Sequence, residues 1–399
     1  MTLVDRELWT LDPEVCFLNH GSFGACPRAV LEEQSRLRAE LEREPVRFML
    51  ESLQGRVRGA AEALAAFLGA QGPDLVFVAN ATYGVNSVLR SLELAPGDEL
   101  LVTDHEYAAS RNALDFVAAR AGAKVEVVDL PFPGLTPEAV EAAVLARVTD
   151  STRLFLIDHV TSPTGLVMPL ERLVPALRER GVETLVDGAH APGMLALDLD
   201  ALGAGYYTGN CHKWLCTPKG SAFLHVRRDL QPGVRPLAIS HGAGLSSDTL
   251  SKFLLEFDWT GTDDFTPALT VPFALRYLAG LLPGGWDEIR RRNHELVCAG
   301  RRVLCEALGV EPPCPESMLG SLASVPLPDD PHPEAPVEPL LRQPAIQADL
   351  RARGFQVPVV SWPRRPSRLV RISAQLYNRL EDYERLAATL VELLGAERG

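Results

Sequence analysis

Lys213 stands in a sequence context that suits imine chemistry. The stretch GNCHKW at 209–214 follows an apolar Tyr206-Tyr207 pair and leads to a turn before another apolar run. Most lysines are exposed surface residues, and this is the ordinary interpretation of a lysine taken at random. A desolvated lysine instead has a lowered pKa, and its neutral amine can attack a carbonyl carbon to form a Schiff base. The context of Lys213 therefore indicates a nucleophilic amine.

Asp187 ends an apolar run in the stretch LVDGAH at 185–190. A carboxylate at this place could cap a following helix. It could also pair with a protonated pyridine nitrogen, which turns such a ring into an electron sink. Taken alone, the carboxylate does not distinguish the two interpretations, so both stay open at this point.

Short apolar runs that alternate with helical stretches must position these residues. Strands joined by helices favour a largely parallel sheet that is covered on both faces, which predicts an α/β fold. Helical periodicity predicts two early helices, one around Val30 to Leu41 and one from Arg56 to Leu68, and then helices near 85–94, 108–121, 138–147 and 170–180. The predicted strands lie near 75–79, 100–103, 124–129, 153–158, 182–187, 206–209 and 222–226.

Polar side chains follow several of these predicted strands. Asn80, Asp104, His159 and Asp187 each stand at or just after a strand end. In an open α/β sheet, ligands bind beyond the carboxyl ends of the strands. We therefore expect a ligand site at this edge of the sheet.

The pattern changes beyond about residue 267. A proline- and acid-rich stretch at 326–344 indicates an exposed connection between regular elements. The elements predicted in this part are helices near 267–281, 286–308 and 346–353, strands near 319–325, 356–360 and 369–372, and a final helix from Leu380. We predict an N-terminal arm with helices over 1–59, a large domain over 60–266 and a smaller α+β domain over 267–399.

Composition limits the classes of function. The chain has 399 residues, of which 46% are hydrophobic and 23% charged, as is usual for a two-domain globular enzyme. A formal net charge of −13 argues against nucleic acid or an anionic membrane as the main partner. No signal peptide and no apolar run of about 20 residues is visible. The seven cysteines form no CxxC pair, so we expect free thiols in a reducing cytoplasm and no metal site.

Several motifs together resemble a known family. The stretch DGAH at 187–190, followed by YTGNCHKW at 207–214 and GSAFL at 220–224, is similar to the class V aminotransferase family of fold-type I pyridoxal-phosphate enzymes. The stretches NHGSFGACP at 19–27 and EFDWTGTDD at 256–264 resemble its isopenicillin N epimerase-like branch. The resemblance implies the aspartate aminotransferase fold. This fold has a large domain with a mainly parallel seven-stranded sheet and a smaller α+β C-terminal domain.

The resemblance implies roles around the cofactor, pyridoxal 5′-phosphate. Lys213 would hold it as a Schiff base and move protons at the substrate Cα. Asp187 would bind the pyridine nitrogen, and His190 would lie near the phenolic oxygen. Tyr107 matches an aromatic ring over the cofactor where many relatives have His, and an ordinary aromatic residue at a helix start is the alternative. Ser162 stands where many relatives use Asn beside the phenolic oxygen, which weakens any inference about ring polarisation.

Phosphate binding is expected where a strand turns into a helix, because the free N–H groups and the dipole of a helix start favour anions. A plain helix cap is the alternative for Thr82. Gly261 and Thr262 match a family loop that crosses from the neighbouring subunit, although the sequence alone fits a local turn equally well. The resemblance thus assigns the phosphate to Ala81, Thr82, Tyr83, Asn210, His212, Gly261 and Thr262.

Arg371, in the stretch LVRIS at 369–373, resembles the family arginine that binds the substrate α-carboxylate. A bidentate guanidinium suits this task because it fixes orientation as well as charge. An outward-facing strand arginine is the alternative. Asn19, His20 and Arg47 are further candidates for the substrate pocket.

Three reactions at the Cα of an amino acid fit the resemblance. We expect epimerisation or racemisation through an external aldimine, with Lys213 on one face and Tyr107, His20 or water on the other. Transamination and C–S or β-lyase chemistry are the alternatives. Cysteine desulfurases carry a nucleophilic Cys on a loop upstream of the carboxylate-binding Arg, and the stretch QVPVVSW at 356–362 has none. A non-enzymatic binding module is disfavoured by the intact Lys213, Asp187 and Arg371. The expected assembly is a homodimer with shared active sites.

Overall fold

The computed structural model describes residues 4–334 and 344–397. Short 3₁₀-helical segments are found at Arg6–Leu8, Gly72–Asp74, Gln231–Gly233, His241–Gly244 and Glu316–Met318, and a π-helical segment at Phe48–Ser52. The α-helices are α1 (His20–Phe23), α2 (Arg28–Arg43), α3 (Pro45–Arg47), α4 (Leu53–Phe67), α5 (Ala81–Ser91), α6 (Ala108–Ala121), α7 (Pro137–Arg147), α8 (Leu170–Arg178), α9 (Leu199–Leu202), α10 (Lys252–Phe257), α11 (Thr266–Leu269), α12 (Val271–Ala279), α13 (Gly285–Leu308), α14 (Ala345–Ala352) and α15 (Leu380–Ala396).

A seven-stranded sheet carries the fold, with the strand order β2-β8-β7-β6-β5-β3-β4. Strands β7, β6, β5, β3 and β4 run parallel, while β8 is antiparallel to both of its neighbours. All seven predicted strands of this sheet are confirmed to within one or two residues. Its strands are β2 (Leu75–Val78), β3 (Glu99–Thr103), β4 (Lys124–Val128), β5 (Thr152–Asp158), β6 (Glu183–Asp187), β7 (Tyr206–Asn210) and β8 (Ala222–Val226).

Both faces of the sheet are buried, as continuous apolar strands require. Side chains alternate between the faces along each strand. Phe155 and Ile157 of β5 therefore enter the larger hydrophobic core, whereas Leu154 and Leu156 enter a second core beneath α5 and α6. This double cover keeps the strand ends rigid, so side chains that follow them are held at fixed positions.

The C-terminal part forms a small antiparallel sheet of order β11-β12-β9, packed on α13, and α15 packs on α13 in turn. Its strands are β9 (Leu322–Leu327), β11 (Val359–Ser361) and β12 (Arg368–Ser373). The N-terminal arm joins this part, because β1 (Cys16–Phe17) pairs in parallel with β10 (Phe355–Gln356). The predicted domain boundaries stay a prediction. Residues 335–343 of the predicted connection lie outside the described residues.

Candidate active site

A cavity of about 260 Å³ lies at the carboxyl ends of β2, β3, β5, β6 and β7. Parallel strands bring their carboxyl ends to one edge of a sheet, which is where ligands bind in such folds. The cavity therefore lies at the edge of the sheet where the sequence predicts a ligand site. The cavity is lined by Ser22, Phe23, Asn80, Ala81, Thr82, Tyr107, Asp158, Val160, Ser162, Asp187, Ala189, His190, Asn210, His212 and Lys213.

Lys213 follows β7 in a turn that is fixed by the next strand. The N–H groups of Cys211 and His212 donate to the carbonyl of Ser221, at 3.1 and 3.2 Å. This turn directs the Lys213 amine into the cavity, where Nζ lies 3.2 Å from Nε2 of His190. Burial, with a smaller effect of the Arg371 charge, lowers the pKa of Lys213 to about 8. A substantial share of the amine is therefore neutral near pH 8, as imine formation requires.

Asp187 is buried and is held by two donors. The Ser110 hydroxyl donates to Oδ2 at 2.7 Å, and the Ala189 N–H donates to Oδ1 at 3.1 Å. Residues 189–190 form a turn rather than a helix, so Asp187 caps no helix there. Burial raises the pKa of Asp187, while Ser110, Ala189 and the Lys213 charge oppose this effect.

His190 follows Asp187 in the same turn and is also buried. Its pKa lies well below the usual value, because burial and the nearby charges of Lys213 and Arg371 disfavour the protonated ring. Its Nδ1 atom is buried and has no hydrogen-bond partner within residues 4–334 and 344–397. A neutral imidazole has one donor and one acceptor nitrogen, so Nδ1 of His190 can form a hydrogen bond with a bound group.

The turn from β2 into α5 is the place where the sequence predicts an anion site. Asn80 is the N-cap, and its side chain accepts from the Tyr83 N–H at 2.9 Å, so the cap interpretation of Thr82 is wrong. Asn210 accepts from the Ala81 N–H at 2.9 Å and fixes this turn against β7. Thr82 and His212 line the cavity beside it. Tyr83 does not, since it lies at a neighbouring cavity of about 360 Å³.

Arg371 projects from β12 toward the turn that carries Ser162. Its guanidinium donates to the Ser162 carbonyl at 2.5 Å and to the Ser162 hydroxyl at 3.2 Å. It also contacts Ser22 Oγ at 3.1 Å and Asn19 Oδ1 at 3.4 Å. Nε of Arg371 is buried without a partner in the described part of the chain. Burial lowers the pKa of Arg371 to about 10. Its guanidinium can donate to a carboxylate, although Arg371 stands behind Ser22 and Ser162 and is not itself on the cavity lining.

Two predicted substrate residues lie elsewhere. His20 is fully buried behind Lys213, with Nδ1 2.8 Å from the Tyr377 hydroxyl and Nε2 2.9 Å from the Lys213 carbonyl. Both ring nitrogens are occupied, and burial lowers the pKa of His20 to about 3, so it supports the lysine turn instead of facing substrate. The side chain of Arg47 is 68% exposed and pairs with Glu44 and Glu51.

Gly261 and Thr262 lie on a loop away from the cavity that contains Lys213. Gly261 has a φ of +134°, and Thr262 is exposed to solvent. Within one subunit, neither Gly261 nor Thr262 therefore lines the cavity that contains Lys213.

Three polar residues with a clear role in the site escaped the sequence analysis. Asp158 is a buried carboxylate at the end of β5, Ser110 holds Asp187, and Ser22 contacts Arg371. A signal existed for Asp158, since it ends a buried strand in the same way as Asp187. Ser22 stands in the NHGSFGACP motif at 19–27, but nothing in the motif marks it as a partner of Arg371. Ser110 stands in no motif, and only its tertiary contact with Asp187 distinguishes it.

Comparisons with known proteins identify the family of this chain. The sequence model of the family described as "Aminotransferase class-V" matches residues 26–386. The chain belongs to the class V aminotransferase family. It is 38% identical to the isopenicillin N epimerase of Amycolatopsis lactamdurans, with 97% of each chain covered. It is 35% identical to the isopenicillin N epimerase of Streptomyces clavuligerus, with 96% of each covered.

More distant relatives have other activities. A probable chloroplastic L-cysteine desulfhydrase of Arabidopsis thaliana is 30% identical and aligns with 96% of this chain and 84% of its own length. Among solved structures, the cystine C–S lyase C-DES superposes with a TM-score of 0.77 at 22% identity, with 95% and 98% of the chains covered. This likeness confirms the predicted fold.

As a class V aminotransferase, the chain is a pyridoxal-phosphate enzyme, and the predicted family and cofactor are confirmed. The residues of the cavity fit this group. The neutral fraction of Lys213 suits an aldehyde. The helix dipole at the start of α5 and the hydroxyl of Thr82 suit a phosphate, and the two carboxyl groups of Asp158 and Asp187 on the cavity lining can pair with a cationic ring nitrogen. No helix of the described residues is long and apolar enough to cross a membrane.

Proposed function

We propose that this enzyme is an amino-acid epimerase that inverts the configuration at the substrate Cα. The two isopenicillin N epimerases, similar over nearly their full length, support this reaction type. The observation that carries the proposal is the presence of two proton-carrying side chains, Lys213 and Tyr107, on the wall of one cavity. Inversion needs one group to remove the Cα proton and another to return a proton on the opposite face.

Pyridoxal phosphate supplies an electron sink that makes the Cα proton of an attached amino acid acidic. Lys213 would hold the cofactor, and Asp187 would hold its ring nitrogen. The start of α5, with Thr82 and His212, would bind the phosphate. Arg371 would bind the substrate carboxylate; it does not itself line the cavity, but its guanidinium contacts Ser162 and Ser22, which do.

Lys213 would remove the Cα proton on one face, since its lowered pKa makes the amine a base near neutral pH. Tyr107 would return a proton on the other face. Tyr107 lines the cavity and is 45% exposed, so its hydroxyl is within reach of solvent. His20 is unsuitable for this second role because both of its ring nitrogens are occupied behind the lysine.

We expect Tyr107→Phe to lower the rate of epimerisation about a hundredfold while Cα proton exchange persists. The reason is that general acid–base groups contribute roughly 10²- to 10⁴-fold, and Lys213 alone still exchanges the proton on its own face. The measurement is deuterium incorporation in heavy water, followed by chiral separation of the amino acid. Wild type should place deuterium in both enantiomers, and the variant only in the starting one.

Tyr277→Phe is the matched control, since it removes a phenol hydroxyl on α12 away from the cavity. It should epimerise at the wild-type rate. Equal deuterium in both enantiomers at an undiminished rate with Tyr107→Phe would show that another group, or water, returns the proton.

C–S lyase activity is the second candidate. The relatives named as cysteine desulfhydrases and the cystine C–S lyase support it. A thiolate is a good leaving group, so Lys213 could suffice for elimination while Tyr107 assists. A screen of amino acids, cysteine and cystine included, distinguishes the reactions. Inversion supports the epimerase, whereas release of sulfide or pyruvate supports the lyase and a different keto acid supports a transaminase.

The functional unit is proposed to be a homodimer in which each subunit gives its 259–262 loop to the partner's phosphate site. The exposure of Thr262, away from the cavity of its own subunit, supports this crossing. A twofold interface is isologous, so each subunit would give and receive one loop. The exposed apolar side chains of Phe23 and Leu50, at 71% and 78%, offer surface for such a contact.

Thr262→Ala is expected to weaken cofactor binding about tenfold, because it removes one hydroxyl hydrogen bond to a charged phosphate. Titration of the apoenzyme with pyridoxal phosphate measures this change, and the absorbance at saturation should stay that of wild type. Complementation tests the crossing itself. Mixed dimers of inactive Lys213→Ala and crippled Thr262→Asp should regain one working site with an intact lysine and an intact partner loop. No recovery after demonstrated subunit exchange would contradict the shared site.

A further inference from the structure

Asp158 is a second buried carboxylate directly beside Asp187. The two residues end neighbouring parallel strands and are paired in the register of β5 and β6. Paired residues of adjacent strands point to the same face and lie about 5 Å apart. Both side chains line the cavity, and both are nearly inaccessible to solvent, at 3% and 2% exposure. Such a pair of like charges is costly unless a cation or a proton accompanies it.

The surroundings of Asp158 tie it to the rest of the site. Its Oδ1 accepts from the Tyr107 N–H at 3.4 Å, and the Ser162 N–H stabilises its charged form as well. Asp158 therefore contacts the segment that carries Tyr107 and the turn that holds Arg371.

The positive charge near Asp158 does not compensate its own negative charge together with those of its neighbours. Burial is the largest cause that raises its pKa, followed by the negative charges of Asp187 and Glu106. Lys213 is a nearby cation, and the negative charges of Asp187 and Asp158 oppose the lowering of its pKa. Arg371 is engaged by Ser162 and by the N-terminal arm. If the Lys213 amine holds the cofactor aldehyde, a proton or another cation in the cavity has to accompany the carboxylate pair.

We propose that Asp158 acts together with Asp187 as a carboxylate pair that stabilises the protonated ring nitrogen of pyridoxal phosphate. Asp187 would contact the ring nitrogen, and Asp158 would add a second negative charge beside Asp187. A doubled charge raises the proton affinity of the ring nitrogen and so strengthens the electron sink. Asp158 is then a positioning residue of the cofactor site, and this role holds for an epimerase and for a lyase alike.

The test compares two cofactors on the same apoenzyme. One is pyridoxal 5′-phosphate, and the other is its deaza analogue, in which carbon replaces the ring nitrogen. Asp158→Asn keeps an oxygen acceptor for the Tyr107 N–H and removes only the charge. We expect this variant to bind pyridoxal phosphate about tenfold more weakly, the factor for one pKa unit of interaction between two charges. Its affinity for the deaza analogue should stay within about twofold of wild type.

Glu106→Gln is the matched control. It removes a negative charge that also faces Asp158, yet Glu106 lies outside the cavity. Both cofactors should bind this variant nearly as they bind wild type. A second measurement is the melting temperature of the apoprotein at pH 8. An aspartate whose pKa is raised by folding destabilises the folded state as pH rises, so Asp158→Asn should melt at or above the wild-type temperature.

Two results would overturn the proposal. Equal weakening of both cofactors, or a lower melting temperature of the apoprotein, would mean that Asp158 only maintains the shape of the site. Unchanged affinity for pyridoxal phosphate would mean that the second charge does not reach the ring nitrogen. Because neither measurement uses turnover, failure here would leave the proposed epimerase reaction untouched.

Discussion

Lys213→Ala is expected to abolish turnover, with a loss of about 10⁴-fold or more, because the amine serves both as the attachment point and as the base. The variant should also lose the absorbance of the imine. Reduction of wild type with borohydride, followed by mass spectrometry, should find the pyridoxyl group on Lys213 alone. This prediction rests on the depressed pKa of Lys213 and on its position at the cavity wall.

The other lysines of the chain provide the controls. Lys124, Lys219 and Lys252 are the remaining ones in the sequence. Lys219 donates to the Gly24 carbonyl at 3.0 Å, and Lys252 donates to the Gly242 carbonyl at 3.0 Å. Lys252→Ala should therefore keep full activity. Recovery of the pyridoxyl group on any lysine other than Lys213 would refute the assignment.

Asp187→Ala is expected to fold, to bind the cofactor loosely and to lose at least about a hundredfold in rate. The loss follows because the protonated ring nitrogen would lack its direct partner, and about 3 kcal/mol of transition-state stabilisation equals roughly this factor. Folding should survive, since burial of the carboxylate raises the pKa of Asp187 and its charge does not favour the folded state. The measurements are steady-state rates at saturating cofactor and thermal melting of the apoprotein.

Ser110→Ala is the companion variant, since it removes the 2.7 Å hydrogen bond to Oδ2 and leaves the carboxylate in place. It should lose activity by a smaller factor than Asp187→Ala. Near-normal rates in Asp187→Ala would show that the ring nitrogen is not protonated during the reaction, and this would remove the basis for the carboxylate pair as well.

Regular elements could be predicted well because local patterns determine them here. The predicted helix at 108–121 matches α6, and the predicted strand at 124–129 differs from β4 by one residue. Alternation of apolar runs with amphipathic stretches is a local property that packing did not override. The register of the sheet is not local, and for this reason the contact of Asp158 with Asp187 could not be predicted from either strand alone.

The site residues also divide into those that a local motif marks and those that only a non-local contact explains. Lys213, Asp187 and Thr82 stand in motifs with a fixed local geometry, and the fold brings them to one cavity. His20 belongs to a motif too, but its side chain turns inward to Tyr377, a residue 357 positions away. No local pattern reveals such a partner, so the sequence suggested a pocket residue where the fold has a buried support.

The pairing of β1 with β10 has a consequence for the order of assembly during synthesis. Residues near position 16 leave the ribosome long before their partners near position 355 exist. The contacts of Asn19 and Ser22 with Arg371 span a similar separation, so they also have to form late in synthesis. Contacts between distant parts of a chain are slow to form. The large sheet can therefore be complete, with Lys213 in place, while the nascent chain still lacks the contacts between Arg371 and the N-terminal arm.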